Sequence, residues 1–336
     1  MSGHRRWIAL ANALAVATIL GFPAPVGADF HTWVATRAVP AFGHGGIGLS
    51  CAGAIAIGGG FDTLDGDGLA LLSLEFQDDG GSGQFYGDMR DDGGGAGSFK
   101  LATLCDDDQP EIDFVELSFS AASGTTSGAS VVCPIGTRAI NGGAKVLGTG
   151  SDVSVAMLSP GFLFDGLGTR LFERPDGTGP PPFTWWAHVL NTNAVIANGA
   201  AASATCVPFE WRPLSTEVKS GSAVAGVVTS RTILCDPGST AVGGGVDAGD
   251  PSGLELVGSG PVFGGPLLPT RLADLSDGPH GAPIGWRVAL RNGAASARPF
   301  KAAAVCAPEP GDALLGAASL LTLGCAVQLG PMKRAH

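Results

Sequence analysis

Carboxylates are the densest chemistry in the chain. Asp62, Asp65 and Asp67 stand in Phe-Asp-Thr-Leu-Asp-Gly-Asp-Gly, and Asp106, Asp107 and Asp108 follow Cys105. Hard oxygens grouped on glycine-rich turns suit Ca²⁺. The first cluster is not an EF-hand, because Gly68, Leu69 and Ala70 follow Asp67. Calcium is therefore the one candidate cofactor, and a solvated acidic face is the competing reading of the same six residues. Pairs of carboxylates can also serve a glycosidase as acid and as nucleophile or base. In exposed, glycine-rich loops these acids would keep ordinary pKa values, which makes poor general acids.

Other chemistries lack their residues. His31, His44, His188 and His280 are far apart and form neither HExxH nor any pair at metal-ligand spacing. His188 is expected to point outward, since it matches Ala289 in the repeat described below. No G-x-S-x-G elbow occurs. Six cysteines, Cys51, Cys105, Cys133, Cys206, Cys235 and Cys306, form an even set once Cys325 of the apolar tail is set aside. In an exported chain such a set reads as a disulfide framework, leaving no thiol for a Cys–His nucleophile.

The elements that must hold these residues recur along the chain. Cys133-Pro-Ile-Gly136 and Ile140-Asn-Gly142-Gly143 match Cys235-Asp-Pro-Gly238 and Val242-Gly-Gly244-Gly245. Trp185, Ala187, Val189 and Asn191 match Trp286, Val288, Leu290 and Asn292, and Cys206 and Cys306 close the two copies. A worn first copy runs from Cys51 through Ile57-Gly58-Gly59-Gly60 to Cys105, with Phe85 in the place of the Trp and Asp91 in the place of the Asn. The simplest pairing is one disulfide per copy: Cys51–Cys105, Cys133–Cys206 and Cys235–Cys306. Each would tie the first strand of a copy to its last, for about 4 kcal/mol on the chain-entropy account.

Each copy reads as about four strands. In the third they cover Thr232 to Val246, Leu254 to Val262, Trp286 to Arg291 and Phe300 to Cys306. Glycine triplets inside strands mark bulges or close packing, since no helix or lysine follows them to make a phosphate loop. The fold class is all-β with three internal repeats. They form either a pseudo-threefold β-prism or packed small sheets, with three sandwiches in a row as the rival. The 54 Gly and 23 Pro support short strands and frequent turns.

Charge narrows the partners. Of the formal net charge of −11, nearly all falls between Asp29 and Asp113, where 15 acidic residues face three basic ones. Such a chain lacks the clustered Lys and Arg that nucleic-acid or anionic-membrane binding requires.

Both ends carry sorting features. Arg5 and Arg6, the apolar run Trp7 to Phe22, Pro23 and Pro25, and the small residues Val26-Gly27-Ala28 read as a cleavable secretion signal helix. At the other end stand Pro308-Glu309-Pro310, an apolar stretch from Ala313 to Leu329, and Lys333-Arg334. This tail resembles the PEP-CTERM sorting signal over about the last 30 residues. The resemblance implies recognition of Pro308, Glu309 and Pro310 by an exosortase-type processing enzyme. It also implies transient lodging of a hydrophobic helix in the inner membrane, with Lys333 and Arg334 held in the cytoplasm, and a host that makes exopolysaccharide. An unprocessed C-terminal anchor is the other reading.

The organisation expected is a signal peptide over 1–28, an acidic divergent repeat over 29–113, repeats over 114–213 and 214–307, and the sorting tail over 308–336. The function expected is that of an exported protein of the cell envelope, surface or matrix. Its role would be structural or binding and not enzymatic, with polysaccharide a candidate partner if strand aromatics such as Trp185 and Trp286 face solvent. A secreted carboxylate-dependent glycoside hydrolase is the alternative.

Overall fold

The computed structural model describes residues 30–309, except 65–67, 78–82, 148–151, 165–166 and 266. The secretion signal, the apolar tail with Pro310, Lys333 and Arg334, and Asp65 and Asp67 lie outside the described residues. No helix among the described residues is long and apolar enough to cross a membrane.

Every regular element described is a strand, apart from two single 3-10 turns. Up to Asp106 the chain forms β1 (Phe30–Val39), β2 (His44–Ser50), β3 (Ile55–Thr63), β4 (Leu69–Gln77), β5 (Gln84–Asp91) and β6 (Gly97–Asp106). Next come β7 (Asp113–Ala121), β8 (Thr125–Val132), β9 (Thr137–Leu147), β10 (Val153–Phe164), β11 (Leu167–Thr169), β12 (Gly177–Gly179), β13 (Thr184–Asn191) and β14 (Asn198–Pro208). The last stretch gives β15 (Ser215–Ala223), β16 (Val228–Leu234), β17 (Ser239–Ala248), β18 (Leu254–Gly265), β19 (Leu268–Arg271), β20 (Gly278–His280), β21 (Gly285–Asn292) and β22 (Arg298–Pro308).

In each of these three segments, six strands make two three-stranded antiparallel ladders. The outer strands of one ladder flank its last strand: β1–β6–β3, β7–β14–β9 and β15–β22–β17. The other ladders are β2–β5–β4, β8–β13–β10 and β16–β21–β18. The expectation of about four strands per copy was low. The opening strands β1, β7 and β15 precede Cys51, Cys133 and Cys235 and so fall outside the cysteine-to-cysteine frame that marked each copy. Thr232 to Val246 is two strands, β16 and β17, broken at Cys235-Asp-Pro-Gly238, where Gly238 takes φ 81°.

The segments interlock. β4 pairs with β9 at Ser73↔Lys145 and Leu74↔Ala144, and β18 pairs with β3 at Gly258↔Asp62 and Ser259↔Phe61. Sheets of six and eight strands result, each shared by two segments. Between the second and third segments, β10 and β17 lie side by side without a common ladder. Residues Asp29–Pro308 thus form one compact unit rather than three sandwiches in a row.

Glycine triplets make this closure possible. A β-carbon on Gly143 would lie 1.6 Å from the Leu74 carbonyl oxygen, one on Gly245 2.1 Å from that of Leu158, and one on Gly60 2.3 Å from that of Ser259. The middle glycines Gly59, Gly142 and Gly244 lie under the rings of Phe85, Trp185 and Trp286. A bulge precedes each triplet, at Ile57, Ile140 and Val242. Trp185 and Trp286 are 0% and 1% exposed, so they are core, as their alternating strand pattern suggests, and offer no stacking face for polysaccharide.

Three disulfides join Cys51–Cys105, Cys133–Cys206 and Cys235–Cys306, with Cα–Cα distances of 5.7, 5.8 and 5.8 Å. The pairing is the one expected, but the mechanics differ. Cys51, Cys133 and Cys235 follow the second strand of each segment, so each bond clamps one ladder of the segment onto the other. Such a framework fits an oxidising, extracytoplasmic compartment.

Candidate functional site

Of the carboxylates singled out in the sequence, Asp62, Asp106 and Asp108 lie against guanidinium groups. Asp62 is 4% exposed and accepts from Arg271 Nη2 at 3.1 Å and from Arg287 Nη1 at 3.3 Å. Burial pushes its carboxyl upward, while Arg287 and Arg271 pull it back down. Asp106 is wholly buried and accepts from Trp211 Nε1 at 2.9 Å, with Arg212 3.5 Å away. Its carboxyl too is pushed up by burial. Asp108 pairs with Arg212 at 2.5 Å, and Asp107 lies half-exposed 3.8 Å from His31. Asp62 and Asp106 are thus neither exposed nor solvated, against the expectation for acids in glycine-rich loops. Among the described residues, no group of three or more His, Cys, Asp or Glu is arranged to hold a metal ion.

His188 is also corrected. It is 8% exposed, stacks at 6.2 Å on Trp186, and burial lowers its pKa. The Trp186 ring stacks on it, and Asp247 and Arg170 of the adjoining seam lie near it, which the match to Ala289 could not reveal. Pro308 belongs to the body: it ends β22 opposite Ser239, two residues beyond Cys306, where the last strand was expected to stop. Glu309 follows it, exposed.

The Arg–Asp pairs belong to a device absent from the sequence reading. Between β10 and β13 the chain makes an excursion, Arg170-Leu-Phe-Glu-Arg-Pro-Asp176-Gly177, and between β18 and β21 it makes another, Arg271-Leu-Ala-Asp-Leu-Ser-Asp277-Gly278. Each crosses to the next segment. Arg170 binds both oxygens of Asp247, which also accepts from the Phe172 amide at 3.1 Å. Arg271 reaches Asp62 in the matching place, its Nε and Nη2 both donating to Oδ2, at 3.3 and 3.1 Å. Leu171 packs with Val218 and Ala303, and Leu272 packs with Val34 and Ala102. Asp176 accepts from Ser220 Oγ at 2.6 Å, and Asp277 from Thr36 Oγ1 at 2.6 Å. Short strands β12 and β20 then extend the next ladder, on β15 and β1. The shared pattern Arg-Leu-x-acid-x-x-Asp-Gly was the available signal; it lies outside the Cys, Gly and Trp landmarks that carried the repeat.

A cavity of about 340 Å³ opens where all three segments meet. Its walls are corresponding positions. Leu69, Val153 and Leu254 pair with the buried Asp91, Asn191 and Asn292. The next residues, Ala70, Ser154 and Glu255, line the cavity. So do the residues before the buried trio, Arg90, Leu190 and Arg291, and those after it, Asp92, Thr192 and Gly293. Arg90 donates to both Asp92 oxygens at 2.5 and 2.8 Å and to the Val153 carbonyl at 3.2 Å. Arg291 donates to Glu255 Oε2 at 2.8 Å. Asp152, also on the wall, accepts from Asn193 Nδ2 at 2.9 Å. Burial pushes the Glu255 carboxyl upward, Arg291 opposes this, and Asp92 adds to it. A smaller cavity of about 220 Å³ surrounds Asp62, Arg271 and Arg287.

No family model matches the chain. No curated protein matches it either. Among solved structures, that of the infectious bursal disease virus Gx strain is similar at 10% identity over 85% of this chain and 83% of that one, with a TM-score of 0.19.

Proposed function

We propose that the chain is an exported protein of the cell envelope, surface or surrounding matrix with a structural or binding role and no catalytic one. Three copies of one disulfide-clamped unit, closed on each other, make its body. The carrying observation is the set of three disulfides, which a reducing cytoplasm would not maintain. The commitment of Asp62, Asp106 and Asp108 to guanidinium groups supports the non-enzymatic part. The secretion signal and the PEP-CTERM-like tail supply the route out, with an exosortase-type enzyme as the processing partner. Mass spectrometry of the protein from expressing cells tests this. The expected form lacks residues 1–28 and the apolar tail and is found in the envelope or matrix. Soluble material that keeps Ala313 to Leu329 intact would overturn the sorting reading.

A carboxylate-dependent glycoside hydrolase remains the second reading, on one observation. Glu255 has a raised pKa and shares the central cavity with Asp92 and Asp152. A raised acid beside other carboxylates is the arrangement such enzymes use. Against it, Arg291 and Arg90 hold Glu255 and Asp92. Release of reducing ends from a polysaccharide, abolished by Glu255→Gln, would establish that reading.

A further inference from the structure

We infer that the central cavity is a binding site for one small neutral polyhydroxylated ligand, a monosaccharide or the terminal sugar of a longer chain. The inference rests on the reading of the protein as a binder and names the class of its ligand. At about 340 Å³ the cavity is at the small end of ligand pockets, which run from about 300 to 1,000 Å³. Its lining alternates between strand residues, such as Arg90, Ser154 and Glu255, and the residues just beyond the same strand ends, Asp92, Asp152, Thr192, Gly253 and Gly293, so its shape is set by the strand termini of three clamped segments.

Charge selects the ligand. Arg90 and Arg291 share the wall with Asp92, Asp152 and Glu255. An anion would meet three carboxylates and a cation two guanidinium groups. An apolar ligand would strip water from ion pairs and return nothing. Guanidinium groups only donate, and carboxylates only accept. Hydroxyl groups do both, so a ring carrying several of them can bond each wall without disturbing Arg90–Asp92 or Arg291–Glu255. Ser154 and Thr192 add hydroxyls of their own, and Leu190 gives the ring an apolar surface. The smaller cavity at Asp62, about 220 Å³, falls below the usual size of ligand pockets and sets two guanidinium groups against one carboxylate, so it lacks the balanced charge of the central one.

Calorimetric titration of the exported, disulfide-bonded protein with glucose, galactose, mannose, N-acetylglucosamine and glycine tests the assignment. One sugar should bind, and Thr192→Trp, at the exposed rim, should weaken it at least tenfold without lowering Tm. Ser154→Gln, inside the cavity, should weaken it similarly. Binding of no sugar, binding of glycine instead, or sugar binding that survives both variants would overturn the site. Localisation in the envelope with no sugar bound would sink this inference and leave the proposed export intact. Sugar binding accompanied by release of reducing ends from oligosaccharides would overturn the binder reading itself.

Discussion

The seam between the second and third segments and the seam between the first and second use opposite charges. In the former, Arg170 reaches across to Asp247, Leu171 fills a small apolar nest with Val218 and Ala303, and Lys301 donates to the Arg174 carbonyl. The seam from third to first repeats this with Arg271, Asp62, Leu272, Val34, Ala102 and Lys100, whose partner is the Leu275 carbonyl. Between first and second, β4 ends at Gln77 and β5 begins at Gln84, which leaves too few residues for a matching Arg-to-Gly stretch, and the matching dock positions are changed. By register, Glu116 stands for Val218, Ser203 for Ala303, Lys145 for Asp247 and Ala201 for Lys301. Lys145 then binds Glu75 at 3.2 Å and Glu116 at 2.7 Å. The lesson is that a lost element was not left as an apolar groove. Its dock was rebuilt as a polar surface whose ion pair does the stitching.

What the seams still share is the close approach of glycine to a carbonyl, and here the largest effect is expected. Gly143→Val and Gly245→Val should each cost about 3 kcal/mol or more, since the obstacle is backbone on a paired strand and cannot yield. Secreted yield and Tm read this out. A Gly143→Val protein that folds normally would mean that the first seam is not built like the second.

The ionic stitches should separate them. Asp62→Ala leaves Arg287, 14% exposed, and Arg271 without their anion, and should cost about 3 kcal/mol, at the low end of the buried-pair range because Arg271 is 40% exposed. Lys145→Ala acts on a side chain 28% exposed and should cost about 1 kcal/mol. Denaturation midpoints decide the matter, and equal losses would break the distinction between clasped and rebuilt seams.

Much of this was legible in the sequence and some was not. Cysteine pairing, the all-β class and the matches of Phe85 to Trp185 and of Asp91 to Asn191 rest on residue types that only one local geometry explains. The ring underneath a middle glycine, and the amide that closes a turn, are such cases. The excursions were missed because an Arg–Asp pair some 77 or 209 residues apart leaves no local periodicity. The central cavity was missed because its wall residues are ordinary alone, and only the closure of three segments brings them together.

The Asp91 match can be sharpened. Asn191 Nδ2 donates to the carbonyls of Ala121 and Ile196, and Asn292 does likewise to Ala223 and Ser296. Asp91 keeps the acceptor half, taking the Gly93 amide at 2.7 Å, but its buried Oδ2 has no partner. Asp91→Asn should therefore gain about 1 kcal/mol, while Asn292→Asp should lose at least as much. Opposite signs in the two variants, read from thermal melts, would confirm that the first segment carries a weakened form of one shared turn.

The smallest effect concerns acid. Asp176 has its carboxyl held below the ordinary range by the hydroxyl and amide of Ser220, with Lys301 helping, and Asp277 is held down by Thr36 in the same way. A carboxyl lowered on folding adds stability that is present above its unfolded pKa of about 3.9 and fades as pH falls through the folded value. Asp62, Asp106 and Glu255 run the other way: burial raises them, so the folded state takes up their protons first and acid relieves their cost. The whole protein's acid limb mixes the two signs, and only a difference experiment isolates the excursions. Wild type and the Asp176→Asn/Asp277→Asn double variant should differ by ~1 °C in Tm at pH 6, since these groups are exposed and screened. That gap should close as pH drops below the ordinary carboxylate range. A gap that persists there would mean the two aspartates hold their serine and threonine partners by shape rather than charge.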